Sequence, residues 1–153
     1  MIIRATTPAD IPALKRVLDE TGLFPSEMLP DMLSGFLSGK GREDVWLSCE
    51  SEGHAIGFCY AVPEALADGT WNMLAVAVLP ESQSKGAGAA LVAALESHLV
   101  GLGHRVLIAE TSGTSEFKQS RAFYRKNGYS EEARIRDFWA PGDDKVVFWK
   151  SLR

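Results

Sequence analysis

Val76-Ala77-Val78-Leu79-Pro80-Glu81-Ser82-Gln83-Ser84-Lys85-Gly86-Ala87-Gly88-Ala89-Ala90-Leu91 is the stretch that decides the reading of this chain. An apolar run stopped by Pro80 gives way to a short polar turn, and two glycines then open an alanine-rich run. The pattern is a strand, a loop and a helix start. Backbone N–H groups in the first turn of a helix have no partner inside it, so they can point at an anion. Gly86 and Gly88 carry no side chain to keep a phosphate off that backbone, and Gln83 and Lys85 add side-chain donors. The helix dipole adds about 0.3–1 kcal/mol. Two nucleotide-binding patterns fail here. A Walker loop needs Gly-Lys followed by Ser or Thr, and Lys85 precedes Gly86. A dinucleotide fingerprint needs a third glycine where Leu91 stands, and it sits near the first strand of its unit, not past mid-chain. The two glycines alone also suit a plain strand–turn–helix connection, packed closely through small residues.

Working outward, the strand before this loop runs from Thr70 to Leu79, almost wholly apolar near its end, as a central and doubly covered strand is. Val45 to Cys49 and Ala55 to Val62 read as two earlier strands joined by a polar turn at Ser51 to His54. Ile2 to Ala5 is a short first strand. Thr7-Pro8-Ala9-Asp10 is a helix start, with Thr7 as N-cap, Pro8 at the first helical position and Asp10 three residues after the cap. Ile11, Leu14, Val17 and Leu18 follow at helical spacing, and Gly22 ends that helix. Phe24 to Gly41 reads as a helix between flexible ends, either a cover over the core or a lip over a site.

Downstream, a helix spans about Gly86 to Leu102, with Leu91, Val92, Leu95, Leu99 and Leu102 on one face and Gly101 and Gly103 closing it. Arg105 to Thr111 is a further strand. Phe117 to Asn127 is a helix with Gly128 as its C-terminal cap. Ala140-Pro141-Gly142-Asp143 lies between two strand-like runs and closes a terminal hairpin. There is no internal repeat and no linker, so residues 1–153 form one α/β domain.

Composition narrows the function classes. The chain of 153 residues is 46% apolar and 24% charged, as an ordinary globular domain is, and its net charge of −4 argues against a nucleic-acid binder. Cys49 and Cys59 make neither a disulfide framework nor a zinc pair and read as buried strand residues. His54, His98 and His104 are scattered, so no metal site is expected and the histidines read as surface residues. The start lacks an apolar signal region, and the run from Met73 to Leu79 is too short to cross a bilayer, so a cytoplasmic protein without membrane contact is expected.

Gln83-Ser84-Lys85-Gly86-Ala87-Gly88 resembles the Gln/Arg-x-x-Gly-x-Gly/Ala loop of the GNAT superfamily of N-acetyltransferases, and it follows a Val-x-Val-x-Pro strand end as it does there. Phe123-Tyr124-Arg125-Lys126-Asn127-Gly128-Tyr129 resembles that family's aromatic-Tyr-x-x-x-Gly-Phe/Tyr block. About forty residues, holding one helix and one strand, separate the two, and the order of elements fits along nearly the whole chain. The resemblance implies an acyl-CoA N-acyltransferase fold of the α/β (α+β) class. Its central sheet is mixed and mostly antiparallel, two parallel strands splay apart, and about four helices flank it. It also implies an acetyl-CoA-dependent transferase that acetylates a primary amine by direct attack in a ternary complex, with no metal, as a monomer or homodimer.

By the same resemblance, the backbone of Val76 and Val78 binds the pantetheine arm between the splayed strands. Gln83, Ser84, Lys85, Gly86, Ala87, Gly88 and Ala89 hold the pyrophosphate, and Lys126 approaches the phosphates. Tyr124 is carried over as the acid that protonates the departing thiolate. Two departures stand out. Trp71 to Val78 contains no carboxylate, where some relatives keep a glutamate base, so Glu110 becomes the candidate base and Glu64 a second. Phe117 and Ser120 stand where many relatives have asparagine and alanine, which passes the polar pantetheine contact to Thr111 or Ser112. The absent carboxylate and asparagine also fit a rival of another class, a module that binds acyl-CoA without turnover; Tyr124 speaks against it. A third reading, a structural protein with no coenzyme A site, needs the glycine loop to be accidental. The acceptor amine is left open, with Glu27 and Asp31 favouring a cation.

Overall fold

The computed structural model describes residues 1–39 and 43–153, so the end of the Phe24-to-Gly41 stretch lies outside the described residues. Ile2–Ala5 forms β1, and a 3-10 turn over Pro8–Asp10 leads into helix α1, Ile11–Thr21. The entry is half of a capping box, the Thr7 N–H donating to the Asp10 carboxylate at 2.9 Å. Gly22, at φ +67, closes α1 by donating its N–H to the Leu18 carbonyl. Helix α2 covers Leu29–Ser38, and its Leu29 and Leu33 are fully buried, so it is a covering helix.

Strands β2 (Val45–Ser51) and β3 (His54–Pro63) run one to two residues longer than the sequence suggests at their shared turn, where Glu52 and Gly53 both take positive φ in a two-residue hairpin. Strand β4 covers Thr70–Val78, helix α3 Ala87–Gly101 and strand β5 Val106–Ser112. Leu102, expected on the buried face of α3, instead falls past its end and is 60% exposed. Helix α4 is Lys118–Lys126, preceded by a 3-10 turn, and Gly128 caps it at φ +91. Strands β6 (Ser130–Ala140) and β7 (Asp143–Ser151) make the terminal hairpin.

The seven strands form one sheet in the order β1-β2-β3-β4-β5-β7-β6. Every neighbouring pair is antiparallel except β4 and β5, which are parallel and joined by α3 as crossover. The expected mixed sheet with four flanking helices is therefore present. One face packs against α3 and α4 through Leu91, Leu95, Leu99, Leu107, Tyr124 and Phe148. The other packs against α1 and α2 through Leu14, Leu18, Leu33, Trp46, Phe58 and Tyr60, but takes strand residues only from β2, β3 and β4. On that face no helix among the described residues lies over β5 and β7: Ile108, Glu110 and Val147 are half-buried and Trp149 is 37% exposed.

Cys49 and Cys59 are buried, unbridged strand residues, as expected. Burial pushes the Cys59 thiol up to about 12, so it is inert at neutral pH. His54 and His98 are exposed, while His104 is half-buried with its ring 5.2 Å from that of Trp71.

Candidate functional site

The site begins where β4 and β5 part. Their parallel ladder runs from Thr70↔Val106 to Met73↔Ala109 and stops, although β4 continues to Val78 and β5 to Ser112. On the other edge of β4 the register to β3 slips, with Tyr60 facing Ala75 and Ala61 facing Met73. Leu74 is the extra residue of a β-bulge, 48% exposed, and a bulge bends its strand away from a partner.

Beyond the bulge, alternation fixes which peptides face the gap. Leu79 donates its N–H to Ile56 of β3, so in an antiparallel pair Ala77 and Ala75 also bond β3, and the peptide groups of Val76 and Val78 point the other way. No strand meets them there. Gln83 marks the direction, because its Nε2 reaches the outward Val78 carbonyl at 3.0 Å.

The loop after β4 delivers the start of α3 to the same place. Ser84 and Gly86 both take left-handed backbone conformations, at φ +68 and +86. Gly86 is the N-cap of α3 and no side chain caps that end. The N–H groups of Ala87, Gly88 and Ala89 thus face outward without a helical partner. Lys85, in this loop, and Lys126, at the end of α4, are both exposed.

Gly88 is where the two sequence blocks meet. A Cβ placed on it would stand 3.1 Å from Phe123 Cε1 and 3.9 Å from Val78 Cγ2. The start of α3, the end of β4 and helix α4 converge at a residue with no side chain. Tyr124, next to Phe123, is 7% exposed and packs its ring against Tyr129 and Phe148. Its hydroxyl has no hydrogen-bond partner among the described residues. Burial, with a smaller contribution from the neighbouring Cys59, pushes the phenol up to about 12, so it stays protonated at neutral pH.

The remaining expected residues divide. Glu110 lies on the open face near the end of β5, with its Oε2 held 2.6 Å from Lys145 Nζ. The Ser112 hydroxyl is engaged by Asp143 and Thr114, and the Thr111 carbonyl by Trp139 Nε1 at 3.3 Å. Arg121 donates to the carbonyls of Ser112 and Thr114 at 2.8 and 2.7 Å, which fixes the turn between β5 and α4. Sequence reading missed Arg121 and the contacts made by Lys145 and Trp139, each of which joins separate elements.

It also missed Asn72. This β4 residue is 5% exposed, donates from Nδ2 to Glu64 Oε1 at 3.0 Å, and leaves its Oδ1 without a partner. A buried acceptor left unpaired costs about 1–3 kcal/mol. An uncharged polar side chain in a central strand is the one signal that would have found it.

Among the described residues no cluster of His, Cys, Asp or Glu is arranged to hold a metal, and no helix is long and apolar enough to cross a membrane. No protein of curated function matches the sequence. A protein assigned to the GNAT family from Desulfovibrio desulfuricans is 27% identical, superposing with a TM-score of 0.91 over 99% of both chains. An aminoglycoside 6'-N-acetyltransferase solved with coenzyme A is 17% identical, with a TM-score of 0.81 over 100% of this chain and 98% of its own. A Salmonella typhimurium protein solved with acetyl-CoA as its cofactor is 18% identical, with a TM-score of 0.78 over 99% of this chain and 94% of its own. The last two likenesses carry the fold alone. A family model described as the acetyltransferase (GNAT) family matches residues 13–129, which takes in α1, the parted strands, the glycine loop and α4. The chain belongs to the GNAT acetyltransferase family.

Proposed function

We propose that the protein transfers an acetyl group from acetyl-CoA to a primary amine by direct attack, both substrates being bound together. One observation carries the reading: β4 leaves β5 with the Val76 and Val78 peptides turned into the gap, directly below an uncapped helix start. An extended amide chain ending in a pyrophosphate is complementary to that pairing of an open strand edge and free helical N–H groups. Acetyl-CoA, when bound, supplies an activated thioester.

The chain's residues then have distinct tasks. Val76 and Val78 bond the pantetheine amides as a missing strand would, and one of their N–H groups stabilises charge on the thioester oxygen. Ala87, Gly88 and Ala89 bind the pyrophosphate through backbone N–H groups, Ser84 and Gly86 shape the turn, and Lys85 and Lys126 add charge at the rim. Gln83 releases or retains the Val78 carbonyl. On the opposite edge the Ser112 N–H faces the gap, whereas the Gly113 N–H bonds Asp144 of β7 and alternation therefore turns the Thr111 peptide toward β7. The Ser112 side chain is already engaged by Asp143.

Glu110 keeps Oε1 without a partner among the described residues, and that oxygen accepts the proton of the attacking amine. The amine nitrogen gains the acetyl carbon as the carbon–sulfur bond breaks, and Tyr124 returns a proton to the departing sulfur. Holding the two reactants in contact supplies much of the acceleration.

Calorimetric titration with acetyl-CoA and with CoA, run beside a Gly86→Glu variant checked for native circular dichroism, tests the reading. Binding by the natural protein, weakened tenfold or more in the variant, is the expected result. Binding without thioester consumption over a broad amine panel would instead favour a non-catalytic acyl-CoA sensor. Absence of binding would remove the cofactor assignment.

A further inference from the structure

Along the open face, away from the gap, stand a carboxylate without a cation and an amide oxygen without a donor. Glu64, just past β3, has its Oε1 held by Asn72 at 3.0 Å, and no cationic side chain among the described residues pairs with it. The Asn72 amide oxygen beside it is buried and unpartnered. The other carboxylate of this face, Glu110, is already neutralised by Lys145. Glu64 is therefore the unbalanced negative charge of the face. An ammonium, with three N–H donors and no acceptor, is its chemical complement.

The position of the pair decides what carries that ammonium. Asn72 is on the opposite face of β4 from the buried Trp71 and Met73, and register sets it beside Ile108, which in turn faces Trp149. Ile108 and Trp149 belong to the uncovered part of the sheet, and the exposed indole offers a surface for a cation or an alkyl chain. Leu74, where the gap opens, is two residues further along the strand, about 7 Å at the rise of a β-strand. With C–C bonds of about 1.5 Å, a chain of about four carbons spans that separation.

We propose that Glu64, oriented by Asn72, binds a second ammonium group of the acceptor, and that the acceptor class is a diamine or longer polyamine. The proposal rests on the gap as the place of acetyl transfer. Glu64 touches the substrate; Asn72 is a positioning residue that fixes the carboxylate.

Putrescine and butylamine differ by the second amine alone and serve as probes. Calorimetry of each, with and without saturating acetyl-CoA, is run on the natural protein, Glu64→Gln and Asn72→Leu. Putrescine is expected to bind at least tenfold more tightly than butylamine, and that ratio falls to about one in Glu64→Gln while acetyl-CoA affinity is retained. Asn72→Leu raises the KM for putrescine with a smaller change in kcat, which loss of folded protein would not do. Equal binding of the two amines by the natural protein, or an undiminished preference in Glu64→Gln, overturns the proposal. If acetyl-CoA does not bind but the Glu64-dependent preference persists, the amine subsite stands and the acetyl-transfer reading falls. If acetyl-CoA binds and putrescine has no advantage, the reverse holds.

Discussion

Tyr124 is 7% exposed, and its hydroxyl makes no hydrogen bond to another of the described residues. Its phenol, pushed up to about 12 by burial, remains the proton-bearing form across the working range. As an acid it is therefore always loaded, and its own ionisation removes no activity between pH 7 and about pH 10. Tyr124→Phe keeps the ring against Phe148 and deletes the hydroxyl with its proton. Kinetics over that range should show kcat lowered about 100-fold at every pH, with acetyl-CoA affinity retained. An unchanged kcat would make the residue a packing tyrosine. This residue was legible from sequence because its block is local. Glu110 was legible as a carboxylate near a strand end, but its Lys145 partner lies across the β5–β7 ladder, and no local pattern links the two. Glu64 was named as a second base candidate, but its pairing with Asn72 was out of reach for the same reason, since only the hairpin between β3 and β4 brings the two within hydrogen-bond distance.

Helix α3 shows how one element serves two ends. At its start Gly86 holds φ +86, and a Cβ added there would meet nothing within 4 Å, so a side chain at this position meets backbone strain alone. At its other end Gly101 has ordinary helical backbone and equally open surroundings. The two alanine substitutions should thus act with opposite signs. Gly86→Ala lowers unfolding free energy by about 1–2 kcal/mol, whereas Gly101→Ala raises it by up to about 1 kcal/mol. Paired urea denaturations would read both, and a gain from Gly86→Ala would contradict the left-handed cap. Element existence was legible throughout, because Pro80, Gly22, Gly103 and Gly128 punctuate the periodic runs. The bulge at Leu74 was not. Leu74 sits in an unbroken apolar run, and only the slipped register against β3 identifies it as the extra residue. The gap that defines the candidate site was thus known from family resemblance before any strand pairing could show its cause.

At the scale of the molecule, the termini of the sheet are secured by charge as well as by packing. Arg4 of β1 donates to both oxygens of Asp10 at 2.7 and 2.8 Å and to Glu50 of β2 at 3.0 Å, so one guanidinium ties the edge strand to the entry of α1. That contact is the main reason the Asp10 carboxyl lies below the ordinary aspartate range, with the Thr7 N–H and the Ser48 hydroxyl adding to it and burial opposing it. A depressed folded-state pKa contributes stability that is present above the unfolded value, about 3.9, and is lost as pH falls through the folded one. At the alkaline end the sign reverses. Tyr124, pushed up to about 12, contributes stability that is whole below the unfolded tyrosine value and is lost as pH rises beyond it. Unfolding free energy from urea titrations should therefore be level between about pH 5 and 9 and fall on both sides. Asp10→Asn should lower the plateau and flatten the acid limb, because its folded and unfolded forms no longer differ in protons bound. Tyr124→Phe should make the alkaline limb shallower without abolishing it, because the buried Cys59 thiol and Tyr129, both raised, contribute in the same sense. It should leave the acid limb as it was. An acid limb equally steep in Asp10→Asn would move the origin of acid sensitivity away from the Arg4 tether and onto the Asp144 carboxylate of the terminal hairpin, which the Asp137 N–H and Arg134 likewise hold below its ordinary range.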